Sequence, residues 1–285
     1  MGFKKFSNLI MIEQTLFALP FAYIGILFAD GVDSAKVKTL SIWILATIAL
    51  IAARTAGMSF NRAIDANIDA KNPRTKDRTI PKGEATKAEV WLIGAVSSVV
   101  LIVSSYFLNP LCFYLSFVAV FLLFTYSYFK RFSSSSHFYL GLVEAAAPIG
   151  GYLAVTGKFS IVPFILGGAI LLWIAGLDIV YALLDKEFDR KEKLYSLPSV
   201  YGRKRALTAS AACYILSFTA MIAAGMITDK SIPYWLAITC IAFVFIYQQT
   251  IARSHDLEQA LKKFFKINMY VSPFLLIGTF IDGFF

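Results

Sequence analysis

The chain has 285 residues, 58% of them hydrophobic and only 16% charged, against roughly 25% charged in ordinary soluble domains. This composition excludes a water-soluble globular protein and implies an integral membrane protein, because apolar runs of about 20 residues, enough to cross hydrocarbon, fill most of the chain. The net charge of +9 is then explained by membrane topology and gives no ground for nucleic-acid binding.

Taken in order, nine spans are expected near 9–29, 39–62, 88–108, 111–129, 138–156, 161–182, 205–227, 232–251 and 264–284. They make an all-α, multi-pass transmembrane helical bundle, with residues 1–285 as one domain and no separate soluble part. Lys4 and Lys5 precede the first run, but no small-residue cleavage site closes it, so it reads as a span and not a removed signal. Pro20, Pro148, Gly150 and Gly151 fall inside spans, where neighbouring helices can re-satisfy the freed backbone groups. Cys112, Cys213 and Cys240 stand singly in apolar runs and read as packing residues.

The loops set the orientation. Lys36, Lys38, Lys158 and Lys230 fall on one face; setting aside the intramembrane Arg54, the other 22 of the 27 Lys and Arg fall on the N-terminal face. The N-terminus and the loops after even-numbered spans are therefore expected in the cytoplasm, the chain in the inner (cytoplasmic) membrane, and the C-terminus outside.

The second span runs into NRAIDANIDAKNPRTKDR, residues 61–78. Asn61, Asp65 and Asp69 recur every four residues, so a helix continuing through them stacks three oxygen ligands on one face. Such a ladder suits Mg²⁺, which is usually held by one or two carboxylates and a substrate's phosphate oxygens. Lys71, Arg74, Lys76 and Arg78 follow, placed to grip the same phosphates. A second ladder, Asp178, Asp185 and Asp189, stands at the same membrane face with Tyr181 alongside, Asp185 lying 120 residues after Asp65. The two read as halves of one site. A solvated cap with local ion pairs is the plain competitor, but it predicts no helical register.

Two charges lie inside apolar runs. Asp178, unpaired, would cost roughly 2.5–3.5 kcal/mol on insertion scales; a cation, a basic partner or a helix-to-helix ion pair must compensate it. Arg54 lies seven residues before Asn61, on the same face and two turns deeper. Its fork suits Asp178 or a substrate carboxylate, with snorkelling to the interface as the alternative. Tyr126, Lys130 and Arg131 close the fourth span. His137 and His255 read as loop residues without ligand partners, and 133–136 as a polar loop. Glu13 and Glu144 read as helix-end residues or pocket hydrogen-bonders. Lys262, Lys263 and Lys266 read as an anchor at anionic headgroups.

The pairing of NRAIDANID with DIVYALLDKEFD, the intervening YSYFK, PRTKDRTIPKG after the first ladder and LFALPFAYIG in the first span resemble the UbiA-type intramembrane prenyltransferases. The likeness covers essentially the whole chain and is strongest to the 4-hydroxybenzoate polyprenyltransferase branch of quinone biosynthesis. It implies nine helices around a central cavity that opens laterally to lipid, a cytoplasmic cap, and Mg²⁺ bridging a prenyl diphosphate. By this resemblance Asn61, Asp65, Asp69, Asp185 and Asp189 are metal positions, and Asp178 is the acid that opens the second motif. Arg74, Arg78, Lys130 and Tyr126 belong to the diphosphate, and Arg54 and Arg131 to the aromatic acceptor; Tyr181, beside Asp178, is grouped with them. One position departs: many members place a second acid after the motif's Asn, where this chain has Arg62, which leaves the metal count open.

The expected reaction is Mg²⁺-dependent transfer of a polyprenyl group to an aromatic acid in ubiquinone or menaquinone synthesis. A dihydroxynaphthoate acceptor is the near alternative. A membrane cation transporter is the alternative from another class, although transporter sites tend to lie at the bilayer midplane on broken helices.

Overall fold

Capping side chains mark where several apolar runs turn into helices. Thr86 and Glu89 form a reciprocal capping box at the start of one helix, Asn109 accepts from Cys112 N–H just before Pro110 opens the next, and Ser196 and Ser199 form a second box. A computed structural model describes residues 3–254 and 257–284; His255 lies outside them. Its helices, in order, are α1 (Phe3–Ile10), α2 (Ile12–Phe28), α3 (Asp30–Val37), α4 (Leu40–Asp69), α5 (Lys87–Leu108), α6 (Pro110–Phe129) and α7 (Ser136–Thr156). Then come α8 (Ile161–Tyr181), α9 (Lys186–Lys191), α10 (Leu197–Ile227), α11 (Ile232–Ile251), α12 (Leu257–Asn268) and α13 (Val271–Asp282). Among the described residues there is no strand.

Among the described residues, eight stretches are long and apolar enough to cross a membrane, and the bent pair α2 and α3 makes nine if counted as one span. The all-helical multi-pass expectation holds. The first span differs in detail: Met11, at φ 49, separates α1 from α2, and the chain turns by 108° into α3. α1 buries Leu9 and Ile10 against Ala63 of α4 and Val90 of α5.

α7 sits between α2 and α8. A Cβ on Gly151 would overlap the Ala22 carbonyl, one on Gly25 the Pro148 carbonyl, and one on Gly141 the Leu171 carbonyl. Small residues thus let backbones touch, which is how helices associate where lipid supplies no hydrophobic drive between them. Hydroxyls join α10 to α8: Ser210 donates to Gly176 O and Ser217 to Ala169 O, both at 2.7 Å. Trp173, fully buried, centres an aromatic cluster with Phe17, Phe21 and Phe245.

Two connections matter for function, residues 70–86 after α4 and 182–196 around α9. They cross one end of the bundle and are tied together by Arg74 and Asn72 to Asp185 and by Lys71 to Glu192. Lys230 pairs with Asp282 at 2.9 Å and closes the α10–α11 turn onto the end of α13.

Candidate active site

α4 runs unbroken for 30 residues, because no Gly or Pro interrupts it after Gly57 and the four-residue spacing of Asn61, Asp65 and Asp69 keeps one face continuous. That face forms one wall of a cavity of about 190 Å³ lined by Asn61, Asp65 and Asp69 and, opposite them, Asp178, Asp185 and Asp189. The two acidic groups share one space. Arg74, Arg78, Lys130, Tyr126 and Tyr181 also line it.

The second group is built differently from a single helical ladder. α8 ends at Tyr181, a turn follows, Asp185 precedes α9 and Asp189 lies within it. Ala182, Leu183, Leu184 and Asp185 form turn hydrogen bonds, and Asp189 N–H then donates to Asp185 O at 2.7 Å. Asp178 therefore belongs to a membrane helix, Asp185 to the turn after it and Asp189 to the short helix α9.

Each carboxylate has a defined partner. Asp65 accepts from Asn61 at 3.0 Å and Arg131 at 2.9 Å, with Lys130 Nζ 3.9 Å away. Arg78 donates to both oxygens of Asp69, at 2.7 and 2.8 Å. Arg74 reaches across the cavity to Asp185 through Nε at 2.9 Å and through Nη2, and also donates to the Tyr181 hydroxyl while its guanidinium lies over that ring. Ser196 donates to Asp189 at 2.8 Å. Burial alone would raise the Asp185 carboxyl, but the Arg74 and Asn72 hydrogen bonds and the Arg74 and Lys130 charges outweigh it and hold the group below its usual range. At Asp189 burial prevails over Ser196 and Lys130 and pushes the carboxyl upward.

Two expectations are corrected, one about a partner and one about a loop. Arg54 bonds to Glu144 of α7, not to Asp178, and it lies off the cavity wall because two turns below Asn61 the α4 face meets α7. His137 is no loop residue: it opens α7, is 2% exposed, and pairs with Asp178 at 2.7 Å. Arg131 is also off the wall, behind Asp65. Arg62, buried, donates to Asn61 Oδ1 and Met11 Sδ, and its guanidinium carries no oxygen to stand in for an acid. Lys71 and Lys76 are exposed.

Sequence reasoning missed Asn72, Ser127 and Ser196 as well as His137. Asn72 donates to Asp185 at 2.9 Å, and Ser127 accepts from Asn61 at 3.1 Å. Asn72 follows Asp69 by three residues, a spacing that could have flagged it. No local signal marks Ser127 or Ser196.

The oxygen-only donor set matches a hard divalent cation. Among the described residues no three His, Cys, Asp or Glu side chains converge closely enough to cage a metal alone. The set therefore fits Mg²⁺ bound by one or two carboxylates, its shell completed by phosphate oxygens and water, better than an ion held wholly by protein.

Fold and site together define a multi-pass membrane protein whose polar, charge-lined cavity lies at one end of an apolar bundle. The chain belongs to the UbiA prenyltransferase family, whose model matches residues 18–270, and it is a prenyltransferase by that membership. It is 27% identical over 281 residues to the 4-hydroxybenzoate octaprenyltransferase of Vibrio campbellii, covering 98% of this chain and 93% of that one. With the protein of the same name from Aromatoleum aromaticum it shares 29% over 279 residues, covering 98% and 90%. The structure of a UbiA homolog from Aeropyrum pernix K1 superposes with a TM-score of 0.87 at 31% identity, over 95% of this chain and 98% of that one. A UbiA homolog from Archaeoglobus fulgidus bound to GPP and Mg²⁺ shares the fold, with a TM-score of 0.74 at 17% identity over 99% and 100% of the two chains.

Proposed function

We propose that this chain transfers a polyprenyl group from a polyprenyl diphosphate to an aromatic acid of the 4-hydroxybenzoate type in quinone biosynthesis. The observation that carries the reading is that Asp65 and Asp69, and Asp185 and Asp189, face one cavity together with Arg74, Arg78 and Lys130. The names of the full-length relatives support the acceptor class.

Asn61, Asp65, Asp69, Asp185 and Asp189 would hold Mg²⁺, which when bound neutralises charge on the leaving diphosphate. Lys130, Arg74 and Arg78 present N–H donors where that charge develops as the C–O bond breaks. The Tyr126 hydroxyl donates to Gly57 O at 3.2 Å, which fixes the ring at the cavity wall one turn before Lys130. Asp178 and Tyr181 line the α8 side, where the aromatic acceptor and its departing ring proton are assigned. Arg54, bonded to Glu144, and Arg131, bonded to Asp65, stand behind the wall, so in this reading they support the cavity from outside it and do not take the acceptor-binding role expected of them. The apolar bundle holds the isoprenoid and excludes water that would quench an allylic cation. The polar end faces the cytoplasm, with the protein in the inner membrane and its C-terminus outside.

An acceptor screen tests this reading in membranes containing the protein, with one prenyl diphosphate and Mg²⁺. Prenylated 4-hydroxybenzoate, formed with release of one diphosphate per product, is expected. Prenylation of dihydroxynaphthoates alone, or Mg²⁺ uptake without diphosphate release, would refute it.

A further inference from the structure

His137 contacts two parts of the site through opposite sides of its ring. The backbone N–H of Leu197, at the start of α10, lies 3.2 Å from Nε2, and Nδ1 lies 2.7 Å from Asp178 Oδ2. A peptide N–H can only donate, so Nε2 is the unprotonated nitrogen and Nδ1 carries the hydrogen. His137 is neutral and donates to Asp178. A second proton would set Nε2–H against Leu197 N–H, two donors facing each other in a buried space. The α10 backbone thus locks the tautomer.

This environment sets Asp178 apart from the other acids of the cavity. Asp65, Asp69 and Asp185 each face guanidinium or ammonium groups, and Asp189 takes the Ser196 hydroxyl. Asp178 takes a neutral ring, which fixes one carboxylate oxygen without cancelling its charge. The other oxygen remains for the cavity, which Asp178 lines. Ser196, adjacent to Leu197, holds Asp189, so the start of α10 braces both acids.

We propose that His137 is a positioning residue for the acceptor half of the reaction. It aims Asp178 so that the remaining oxygen accepts a hydrogen bond from the hydroxyl of the aromatic acceptor. The inference rests on the aromatic-acceptor reading above.

Two substitutions separate the two sides of the ring. His137→Asn retains a donor at the δ position for Asp178 and loses the ε acceptor; His137→Gln retains an ε acceptor for Leu197 and loses the δ donor. In steady-state kinetics on nanodisc-embedded protein, His137→Gln is expected to lower kcat about 10–100-fold, the usual effect of losing an orienting partner. The KM for prenyl diphosphate should stay near the wild-type value, and His137→Asn should recover most of the loss. On an Asp178→Asn background His137→Gln should lower kcat no further, because its effect passes through Asp178. Wild-type kcat in His137→Gln, equal impairment of both variants, or additive loss on the Asp178→Asn background would overturn the proposal. If His137→Gln does not fold, His137→Asn compared with Asp178→Asn decides: near-wild-type turnover supports positioning, and a loss equal to that of Asp178→Asn refutes it. A wild-type protein that prenylates no aromatic acid would defeat the functional reading instead, which this comparison keeps distinct.

Discussion

Asp65, 2% exposed, accepts hydrogen bonds from Asn61 and Arg131 and has Lys130 3.9 Å away, so two cations face one buried carboxylate. Asp65→Asn removes that charge with little change of volume, so turnover should fall to background while the purified protein keeps its thermal unfolding midpoint to within a few degrees. Chelation by EDTA should likewise stop diphosphate release, with recovery on adding Mg²⁺; release that persists in EDTA contradicts the metal assignment. The Arg54–Glu144 pair, with each side chain 15% exposed, makes the opposite kind of prediction. Arg54→Met strands Glu144 and should destabilise by about 3–5 kcal/mol, whereas the double replacement Arg54→Met, Glu144→Met should recover most of that in thermal melts. The register of Asn61, Asp65 and Asp69 was legible in sequence because all three lie on one continuous helix. The partners of Arg54 and Asp178 were not, because they are set by which helices meet: α4 with α7 for Glu144, and α7 with α8 for His137.

At the scale of elements, spans were readable from apolar length, but breaks inside a favourable pattern were not. Asp178, Asp185 and Asp189 keep helical spacing, yet α8 stops at Tyr181 and the chain turns before α9. The spacing continues past the end of the helix, so periodicity alone cannot reveal the stop. The break serves the site, since a free turn lets Asp185 meet Arg74 and Asn72 of the other connection. Glycine pairs give a sharp test of helix packing. Gly151 faces the Ala22 carbonyl so closely that a Cβ must push α2 from α7, while the neighbouring Gly150 has nothing within 4 Å. Gly151→Ala should cost about 1–3 kcal/mol by overpacking, and Gly150→Ala should leave the detergent-solubilised melting temperature nearly unchanged. Equal melting temperatures for the two variants would contradict the close α2–α7 approach.

For the whole molecule, the positive charges divide by face, and the polar cavity lies at the Arg- and Lys-rich end where residues 70–86 and 182–196 meet. A single cysteine at Lys76 should therefore react with a membrane-impermeant maleimide in inside-out vesicles, and one at Lys158 in right-side-out vesicles; the reverse pattern would invert the orientation. The central claim is that acids from two distant stretches act as one unit on a single diphosphate. Its most direct test is turnover of prenyl diphosphate with Mg²⁺ and 4-hydroxybenzoate by Asp65→Asn, Asp185→Asn and the double variant, measured at matched, folded protein concentrations. The account predicts that each single substitution abolishes product and that the double is no worse than either. Product formed at the wild-type rate by either single variant would contradict it.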